Sequence, residues 1–426
     1  MRSADVVASL KRWAVKDASG QELMARTASL EAMNDKTFVL RLKEPYGLTI
    51  RILAKDAGAA YILPEQQALQ DPSKPFQGTP IGSGPFMFAA NEWVPGAKTV
   101  YVKFKDYVPR KEPASYYAGG KRVNVDRVEW IVIPDQSTAV AALEKGEVDF
   151  LERPDPDQWP LLRKNPNIKF YQTDIAQMAL HPNHLAPPFD NVKARQALAL
   201  MVNQEDYLLA FAGDPANFRP CYSYLGCGSW LETEAGAEPF KKQNLERAKQ
   251  LLAEAGYKGE KIVVMAPTDI PIINAASLTT AAMLRKLGVD VDLQAMDWGT
   301  LTSRRAIKDP PSKNPAGWHI FHTYDGYSAV KFPWGHTPVS TDCERAWFGW
   351  PCSPRASKLL DELGELTPGT DAFKKVLSEY HIALWENIPY VLLGEFYQYA
   401  AYRKDRLSNV IETPHTYSIF WNMVVK

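Results

Sequence analysis

The amino-acid sequence predicts an α/β fold built from two lobes. The chain has 426 residues, and because domains usually contain about 100–200 residues, two or three lobes are expected. Two passages, residues 125–152 and residues 261–296, each read as strand, helix and strand in turn. Since this order is typical of layered α/β folds, the two passages indicate two α/β lobes.

Short elements precede the first of these passages. The opening stretch DVVASLKRW has apolar residues at helical spacing and predicts a helix. Residues 27–43 alternate around Asn34-Asp35, which predicts two strands joined by a turn. In IGSGPFMF, residues 81–88, two glycines and a proline allow a tight turn with positive φ, and a strand is predicted to begin at Phe86.

The first strand–helix–strand passage begins with an almost continuous apolar and β-branched run, which predicts a strand over Val125–Ile133. A helix is predicted over Ser137–Lys145, and Gly146 is a normal helix stop. The segment GEVDFLE then starts another strand, and one more is predicted over Ile168–Thr173.

The second half repeats this organisation. Helical spacing of apolar residues predicts helices over Val192–Asn203, Leu245–Ala255, Ala275–Leu287, Ser357–Leu366 and Ala372–Asn387. Strands are predicted over Lys261–Met265, Val289–Met296 and, as a buried strand, Tyr390–Gly394. A strand on each side of the third helix gives the second α/β passage.

Charge and composition argue against several classes of partner. Lys and Arg together number 49, as do Asp and Glu, so the balance favours neither nucleic acid nor an anionic membrane surface. No stretch approaches the roughly 18 uninterrupted apolar residues of a transmembrane helix. The 12 Trp and 19 Tyr residues suit either a large core or a pocket for amphipathic solutes.

Four cysteines form two pairs that are close in sequence. Cys221 and Cys227 lie in PCYSYLGCGSW, and Cys343 and Cys352 lie in DCERAWFGWPC. An even number of closely paired cysteines predicts two local disulfides and an oxidising compartment. Four free thiols or a metal site are the alternatives, although the spacings lack the two-residue gaps of a zinc site.

No catalytic signature is present in the sequence. GSGPF lacks the spacing of a phosphate-binding loop and precedes a predicted strand. His319 and His322 could hold a metal, with Asp325 as a third ligand, only if their segment is helical. The simpler interpretation is that one histidine packs under a loop and the other meets solvent or solute. We therefore expect no metal, no cofactor and no enzyme activity.

Several segments together resemble the family 5 extracellular solute-binding proteins, which serve bacterial ABC importers for peptides, opines, nickel and glutathione. The resemblance rests on ADVVASLKRW, IGSGPF, DRVEWIVIPDQSTAVAALEKGEVDF, NHLAPPFDNVKARQALALMVNQEDYL, NLERAKQLLAEAGY, AAMLRKLGVDVDLQAMDW and GWHIFHTYDG. Each motif is moderately specific by itself. Their correct order over nearly the whole chain makes coincidence implausible.

The family resemblance implies a two-lobed type II (cluster C) periplasmic binding protein with hinge strands and a partial extra subdomain. Residues 1–80 would be a remnant of the small subdomain, residues 81–180 with 396–426 an incomplete lobe one, and residues 181–395 lobe two. In family members the DVVASLKRW helix lies well inside the chain. The resemblance therefore implies that the start of lobe one and the signal peptide are missing here.

The resemblance also implies a function. The chain would be the periplasmic component of an ABC importer that binds a peptide or other small amphipathic solute between its lobes. Its partners would be that solute and a permease in the inner membrane, with no nucleic acid, and it would act as a monomer. A hydrolase acting on a peptide or glycoside in the same cleft is the alternative.

Candidate ligand-binding residues follow from matching motifs. Trp298 resembles the tryptophan that lines a side-chain pocket in peptide-binding relatives, and Arg305 resembles the arginine that takes a solute carboxylate. A guanidinium suits this task because it bonds a carboxylate with two parallel N–H groups. The Gly-Trp loop that lines the cleft in relatives corresponds to Gly317, Trp318 and His319.

The sequence departs from the family pattern at the partner for a peptide amine. Peptide binders have an aspartate three residues after the loop tryptophan, where this chain has Phe321. A buried ammonium without a partner is costly. Asp325 could replace the missing acid if the loop is reshaped; otherwise the solute lacks a primary amine or presents it elsewhere.

The cysteine pairing is directly testable. We expect Cys221 to bond Cys227 and Cys343 to bond Cys352, because each pair is local. Intact-mass measurement of the non-reduced protein should show the loss of four hydrogens, about two for each disulfide. Four alkylatable thiols in protein refolded under oxidising conditions would contradict the pairing.

Overall fold

The computed structural model describes residues 1–56, 58–72, 74, 76–413 and 418–426. The chain divides into two compact units. Unit 1 contains Met1–Glu44, Arg51–Asp174 and Tyr397–Lys426, and unit 2 contains Pro45–Ile50 and Ile175–Phe396. Among the described residues, every helix is too short or too polar to cross a lipid bilayer.

Helices and strands alternate along most of the described chain. The α-helices are α1 (Ser3–Trp13), α2 (Ala18–Ala25), α3 (Thr49–Leu53), α4 (Glu65–Ala68), α5 (Gln136–Lys145), α6 (Trp159–Lys164), α7 (Val192–Met201), α8 (Gln204–Ala212), α9 (Leu245–Glu254), α10 (Pro271–Lys286), α11 (Trp298–Arg304), α12 (Tyr327–Val330), α13 (Pro354–Glu365) and α14 (Asp371–Asn387). The strands are β1 (Thr27–Asn34), β2 (Thr37–Leu42), β3 (Phe86–Phe88), β4 (Lys98–Lys103), β5 (Arg127–Ile131), β6 (Phe150–Glu152), β7 (Ile168–Pro182), β8 (Phe218–Arg219), β9 (Ile262–Pro267), β10 (Val291–Met296), β11 (Ile320–Gly326), β12 (Val391–Arg403), β13 (Leu407–Ser408) and β14 (Val424–Val425).

Unit 1 begins with α1 packed beside the β1–β2 hairpin. The hairpin is antiparallel, with Thr27 opposite Leu42 and Asn34 opposite Thr37. The Ser3 backbone N–H donates to the Asp35 carbonyl at 3.0 Å and ties the helix start to the hairpin turn. The predicted opening helix and the predicted pair of strands are both confirmed.

The glycines of IGSGPF do not form the turn that we expected. Neither Gly82 nor Gly84 has a positive φ, so that expectation is wrong, and the chain approaches β3 through bends instead. The strand itself begins at Phe86, as predicted. The predicted helix stop is also confirmed, because Gly146 ends α5 in the left-handed conformation with φ 76°.

A cavity of about 610 Å³ lies inside unit 1 between β5 and β6. β5 is the last strand of the antiparallel sheet β3–β4–β5, and β6 is the last strand of another sheet. Apolar side chains such as Trp130, Phe150 and Phe420 line the cavity. The Trp130 indole N–H reaches across it to the Glu152 carboxylate at 3.2 Å.

Unit 2 contains a layered α/β core. β10 pairs parallel with β9, β9 pairs parallel with β11, and β11 pairs antiparallel with β7. α10 packs on this sheet and against α8, where the Tyr207 hydroxyl lies 3.0 Å from the Thr280 hydroxyl. α10 begins at Pro271, four residues before the predicted start, because a proline is tolerated in the first helical turn.

Two strands run through both units. β7 has 15 residues and β12 has 13, so the predictions of Ile168–Thr173 and Tyr390–Gly394 were both too short. The second half of β7 and the first half of β12 are buried at almost every position. Such strands do not show a clear alternation of apolar and polar residues, which explains why their length was underestimated.

Both predicted disulfides are confirmed, and both lie in unit 2. Cys221 is bonded to Cys227, and Cys343 is bonded to Cys352. The first disulfide is anchored to β12 through Glu395, whose carboxylate accepts from the Cys227 N–H at 2.9 Å and from Arg219 Nε at 2.7 Å. Glu395 is therefore a buried acid with two donors.

We expect Glu395→Ala to lower the free energy of unfolding by about 2–4 kcal/mol, because it leaves the buried Cys227 N–H without its acceptor and removes the carboxylate that pairs with Arg219. Glu395→Gln is the matched control: it keeps an acceptor for the Cys227 N–H and should lose clearly less. Urea denaturation of both variants measures the difference. Equal stability of Glu395→Ala and the wild type would contradict this role.

Candidate functional site

The residues predicted from the motif after β10 come together on one helix. Asp297 caps α11 by accepting from the Thr300 N–H at 2.9 Å. Trp298 begins this helix and Arg305 follows its last residue, two turns later, so both side chains lie on the same face. The Arg305 Cζ lies 5.6 Å from the centre of the Trp298 ring.

Three further aromatic rings lie close to the Arg305 guanidinium. Its Cζ is 5.7 Å from the Phe321 ring, 4.8 Å from the Trp347 ring and 4.6 Å from the Phe348 ring. A cation at these distances is attracted by the negative faces of the rings. No motif in the sequence indicated Trp347 and Phe348, although they lie between the cysteines of a predicted disulfide.

Arg305 makes no salt bridge within 4 Å among the described residues, although the carboxylate of Asp325 lies close enough to act on it electrostatically. Its Nε is buried and makes no hydrogen bond there. Burial lowers the pKa of Arg305, while the carboxylate of Asp325 acts in the opposite direction. A partly desolvated guanidinium whose donors are not all hydrogen-bonded is costly, and a bound anion would offset that cost.

Asp325 lies at the end of β11, beside two buried histidines. Its carboxylate is 3.5 Å from His336 Nε2, which is an electrostatic contact at the limit of hydrogen bonding. Burial by itself would raise the pKa of Asp325, but His336, His181 and Arg305 outweigh it and hold the pKa below its usual value. Asp325 is therefore an anion at neutral pH, with 29% of its side chain exposed.

His181 and His336 add unsatisfied polar atoms to this region. The His181 ring stacks on Phe321 with centres 4.8 Å apart, and its Nε2 is buried without a hydrogen bond to any described residue. His336 Nδ1 is likewise buried without a hydrogen bond to the described residues, and the one close polar contact of its Nε2 there is the 3.5 Å approach to Asp325. Burial lowers the pKa of His181 to about 3, so this imidazole is neutral. Together with Arg305, these atoms can receive polar groups of a ligand.

The predicted Gly-Trp loop lies beneath this cluster. Trp318 is fully buried, and its indole N–H donates to the Ile307 carbonyl at 3.1 Å. A Cβ on Gly317 would meet backbone atoms at 2.6 Å, so only glycine fits there. His319 Nδ1 accepts from the Val263 N–H at 2.9 Å. These residues support the site from within, and their direct contact with solute stays a prediction.

Phe321 is also fully buried, in a core cluster shared with Trp318, Met265, Leu301 and Trp350. Trp298, Trp347 and Phe348 are only partly buried and pack on this cluster. Phe321 therefore joins the core to the Arg305 site. An aspartate at this position would place a charge in the core of unit 2.

The histidine pair is not arranged for a metal. The condition for that hypothesis was a helical segment, whereas His322 lies on strand β11 and His319 directly precedes it. His322 is fully buried between the Thr280 and Ser277 hydroxyls, at 2.8 and 3.1 Å. Because both histidines are buried, the expectation that one of them meets solvent is wrong, and contact of His319 with a solute stays a prediction. In the described residues, the one group with metal-ligand spacing is Cys221, Cys227 and Glu395, and its cysteines are bonded to each other.

Comparison with known proteins identifies the family of this chain. The family model described as bacterial extracellular solute-binding proteins, family 5 Middle, matches residues 1–329. The chain belongs to this family. It is 40% identical over 427 residues to the probable peptide ABC transporter periplasmic-binding protein y4tO of Sinorhizobium fredii, an alignment that covers 99% of this chain and 78% of that protein. The glutathione-binding protein GsiB of Escherichia coli K12 is 28% identical over 343 residues, which cover 79% of this chain and 60% of GsiB.

Solved structures show the same fold. AgaA of A. tumefaciens R10 in complex with agropinic acid has a TM-score of 0.79 at 22% identity, covering 100% of this chain and 83% of AgaA. DppA of Helicobacter pylori in complex with the peptide STSA has a TM-score of 0.77 at 20% identity, covering 99% of this chain and 81% of DppA. The predicted fold class, a type II periplasmic binding protein, is confirmed. The family membership likewise confirms a solute-binding protein of ABC import and gives no support to the hydrolase alternative.

Burial also determines the pH response of unit 2. It lowers the pKa of His181 and His322 to about 3, and of His319 and His381 to about 4. In the unfolded chain each has a pKa near 6.5. Below about pH 6.5 the unfolded state therefore binds more protons than the folded state, and falling pH favours unfolding.

We expect the free energy of unfolding to fall between about pH 6.5 and 5, by roughly 1.4 kcal/mol per pH unit for each such histidine. Between about pH 7.5 and 8.5 these groups should have no effect. Urea denaturation across this range measures the slope. His322→Gln should reduce the slope by about 1.4 kcal/mol per pH unit, because one histidine fewer binds a proton on unfolding. A flat profile between pH 6.5 and 5 would show that these histidines become protonated in the fold.

Proposed function

We propose that this chain is the solute-binding component of an importer for an anionic amphipathic solute, a peptide or a related small molecule, and that Arg305 binds the solute's carboxylate. The proposal includes a periplasmic location, a permease partner in the inner membrane and action as a monomer. The observation that supports it most strongly is the partly buried Arg305 guanidinium, whose buried Nε makes no hydrogen bond and which forms no close salt bridge among the described residues.

The chemistry of Arg305 favours a carboxylate. A guanidinium carries five N–H donors in a fixed plane and can bond both oxygens of a carboxylate at once. The surrounding rings displace water, so a charge pair formed there is stronger than on an open surface. Trp298, Trp347 and Phe348 provide the apolar part of an amphipathic site.

Asp325 supports a second contact, with a cationic or hydrogen-bond-donating group of the solute. It is partly exposed and anionic, and its contact with His336 is long, at 3.5 Å, which leaves its carboxylate able to accept a further hydrogen bond. A peptide amine could pair with this carboxylate instead of an acid at position 321. The relatives fit this range of solutes, since y4tO is named as a probable peptide transporter protein and DppA was solved with a peptide.

Replacing Arg305 tests the proposal. Arg305→Ala should weaken binding of a carboxylate solute by roughly 2–5 kcal/mol, the usual range for truncating one partner of a buried charge pair. Arg305→Lys should recover part of that loss, because it restores the charge without the two-pronged geometry. Calorimetry with free-acid and C-terminally amidated peptides measures both effects.

Lys308→Ala is the matched control, because Lys308 is an exposed cation beside the Trp350 ring at 5.6 Å. The Lys308→Ala variant should bind the solute with the same affinity as the wild type. Unchanged affinity of the Arg305→Ala variant, or equal affinity for free-acid and amidated forms, would overturn the assignment of Arg305.

A further inference from the structure

Two of the four rings around Arg305 come from one short loop. Trp347 and Phe348 lie between Cys343 and Cys352, which are bonded to each other. We propose that this loop, residues 343–352, is the specificity element of the site and selects solutes that carry an apolar group next to the carboxylate. This inference rests on the proposed function, because it assumes that a carboxylate binds Arg305.

The loop is held in place at both ends and in the middle. The Cys343 N–H donates to the Pro351 carbonyl at 3.1 Å, and the Trp350 N–H closes a turn onto the Trp347 carbonyl at 2.8 Å. Gly349 has a φ of 100°, its carbonyl accepts from the His184 N–H at 2.8 Å, and a Cβ there would lie 2.7 Å from the Pro182 oxygen. The two aromatic side chains are therefore presented by a constrained backbone.

The two rings form an apolar wall on one side of the cation. Their centres are 5.2 Å apart, and they lie 4.8 and 4.6 Å from the Arg305 Cζ. Three points at these separations form a compact triangle, so both rings lie to the same side of the guanidinium. Trp347 also contacts the His181 ring edge-on at 5.1 Å and the Phe321 ring at 5.7 Å.

Both loop rings keep exposed surface, since Trp347 and Phe348 are only partly buried. A carboxylate bound to Arg305 would bring its neighbouring group against this surface. An apolar group would remove the ring surfaces from water and stabilise the complex. A hydrogen atom in its place would leave the rings in contact with water, and a charged group would have to be desolvated, which costs free energy. The wall therefore adds selectivity to a contact that Arg305 makes with any carboxylate.

Competition calorimetry with matched probes tests this selectivity. The probes are the dipeptides Ala-Phe, Ala-Leu and Ala-Gly and their N-acetyl derivatives, which differ only in the group beside the carboxylate or in the amine. We expect the wild type to bind the Phe and Leu probes about tenfold more tightly than the Gly probes. In Trp347→Ala and Phe348→Ala this ratio should fall towards one, with the Gly probes changed little.

Trp230→Ala is the control for the loss of a partly exposed tryptophan elsewhere in unit 2, where Trp230 stacks on Phe373. It should keep the wild-type ratio. The double variant Cys343→Ser with Cys352→Ser keeps both rings but releases the loop, and it should lower the ratio without abolishing Gly-probe binding. Circular dichroism establishes that each variant is folded before its ratio is compared.

The outcomes separate this inference from the proposed function. Carboxylate probes that bind in an Arg305-dependent way, but with equal affinity for Phe and Gly or with a ratio unaffected by Trp347→Ala and Phe348→Ala, overturn the role of the loop alone. A wild type that binds none of the carboxylate probes overturns the proposed function and this inference together.

Discussion

Seven consecutive residue pairs join β7 to β11, from Ile320 opposite Pro182 to Gly326 opposite Ala176. This antiparallel register places Phe321 opposite His181 and thereby stacks one ring on the other. It also sets the position of Asp325 at the far end of β11. Because side chains alternate along a strand, a shift by one residue would turn Phe321 away from Arg305 and the site would not form.

Arg305 differs from Arg195 and Arg219 in the groups that contact its guanidinium. Arg195 is almost fully buried, and it donates to the carbonyls of Asn387 and Phe189 at 3.0 and 2.9 Å. Arg219 is paired with the Glu395 carboxylate. Buried polar groups are normally satisfied in this way. Arg305, which lies among aromatic rings and makes no close salt bridge in the described part of the chain, is the exception, and such exceptions are typical of functional sites.

Local signals in the sequence were sufficient for most elements but not for the site as a whole. Helix α5 and the β1–β2 hairpin follow from short-range patterns, namely a glycine stop and an alternation around a turn. The pair Trp298 and Arg305 was predictable because both belong to one helical segment. Trp347 and Phe348 were not, because their contact with Arg305 depends on the tertiary path of a loop some forty residues later in the chain.

The same limit applies to burial. The motif around Trp318 indicated a cleft-lining loop, whereas its indole is fully buried and bonded to the Ile307 carbonyl. The pattern of residue types does not distinguish a ring that faces a ligand from one that supports the neighbours of that ligand, since both are apolar and both lie beside glycine. Only the packing of α11 on β9 and the strand direction of β11 decides between them.

Strand β5, which lines the cavity in unit 1, is the last strand of its sheet, and this position bears on how the chain associates in solution. Outer strands with unpaired backbone groups are templates for pairing with other molecules. β5 carries charges at this edge, where the Arg127 guanidinium bonds the carboxylates of Glu92 and Glu129. Exposed charges of this kind discourage edge-to-edge association, and dissolved salt screens them. We therefore expect self-association through this edge to increase with ionic strength, in a region remote from Arg305 in the sequence.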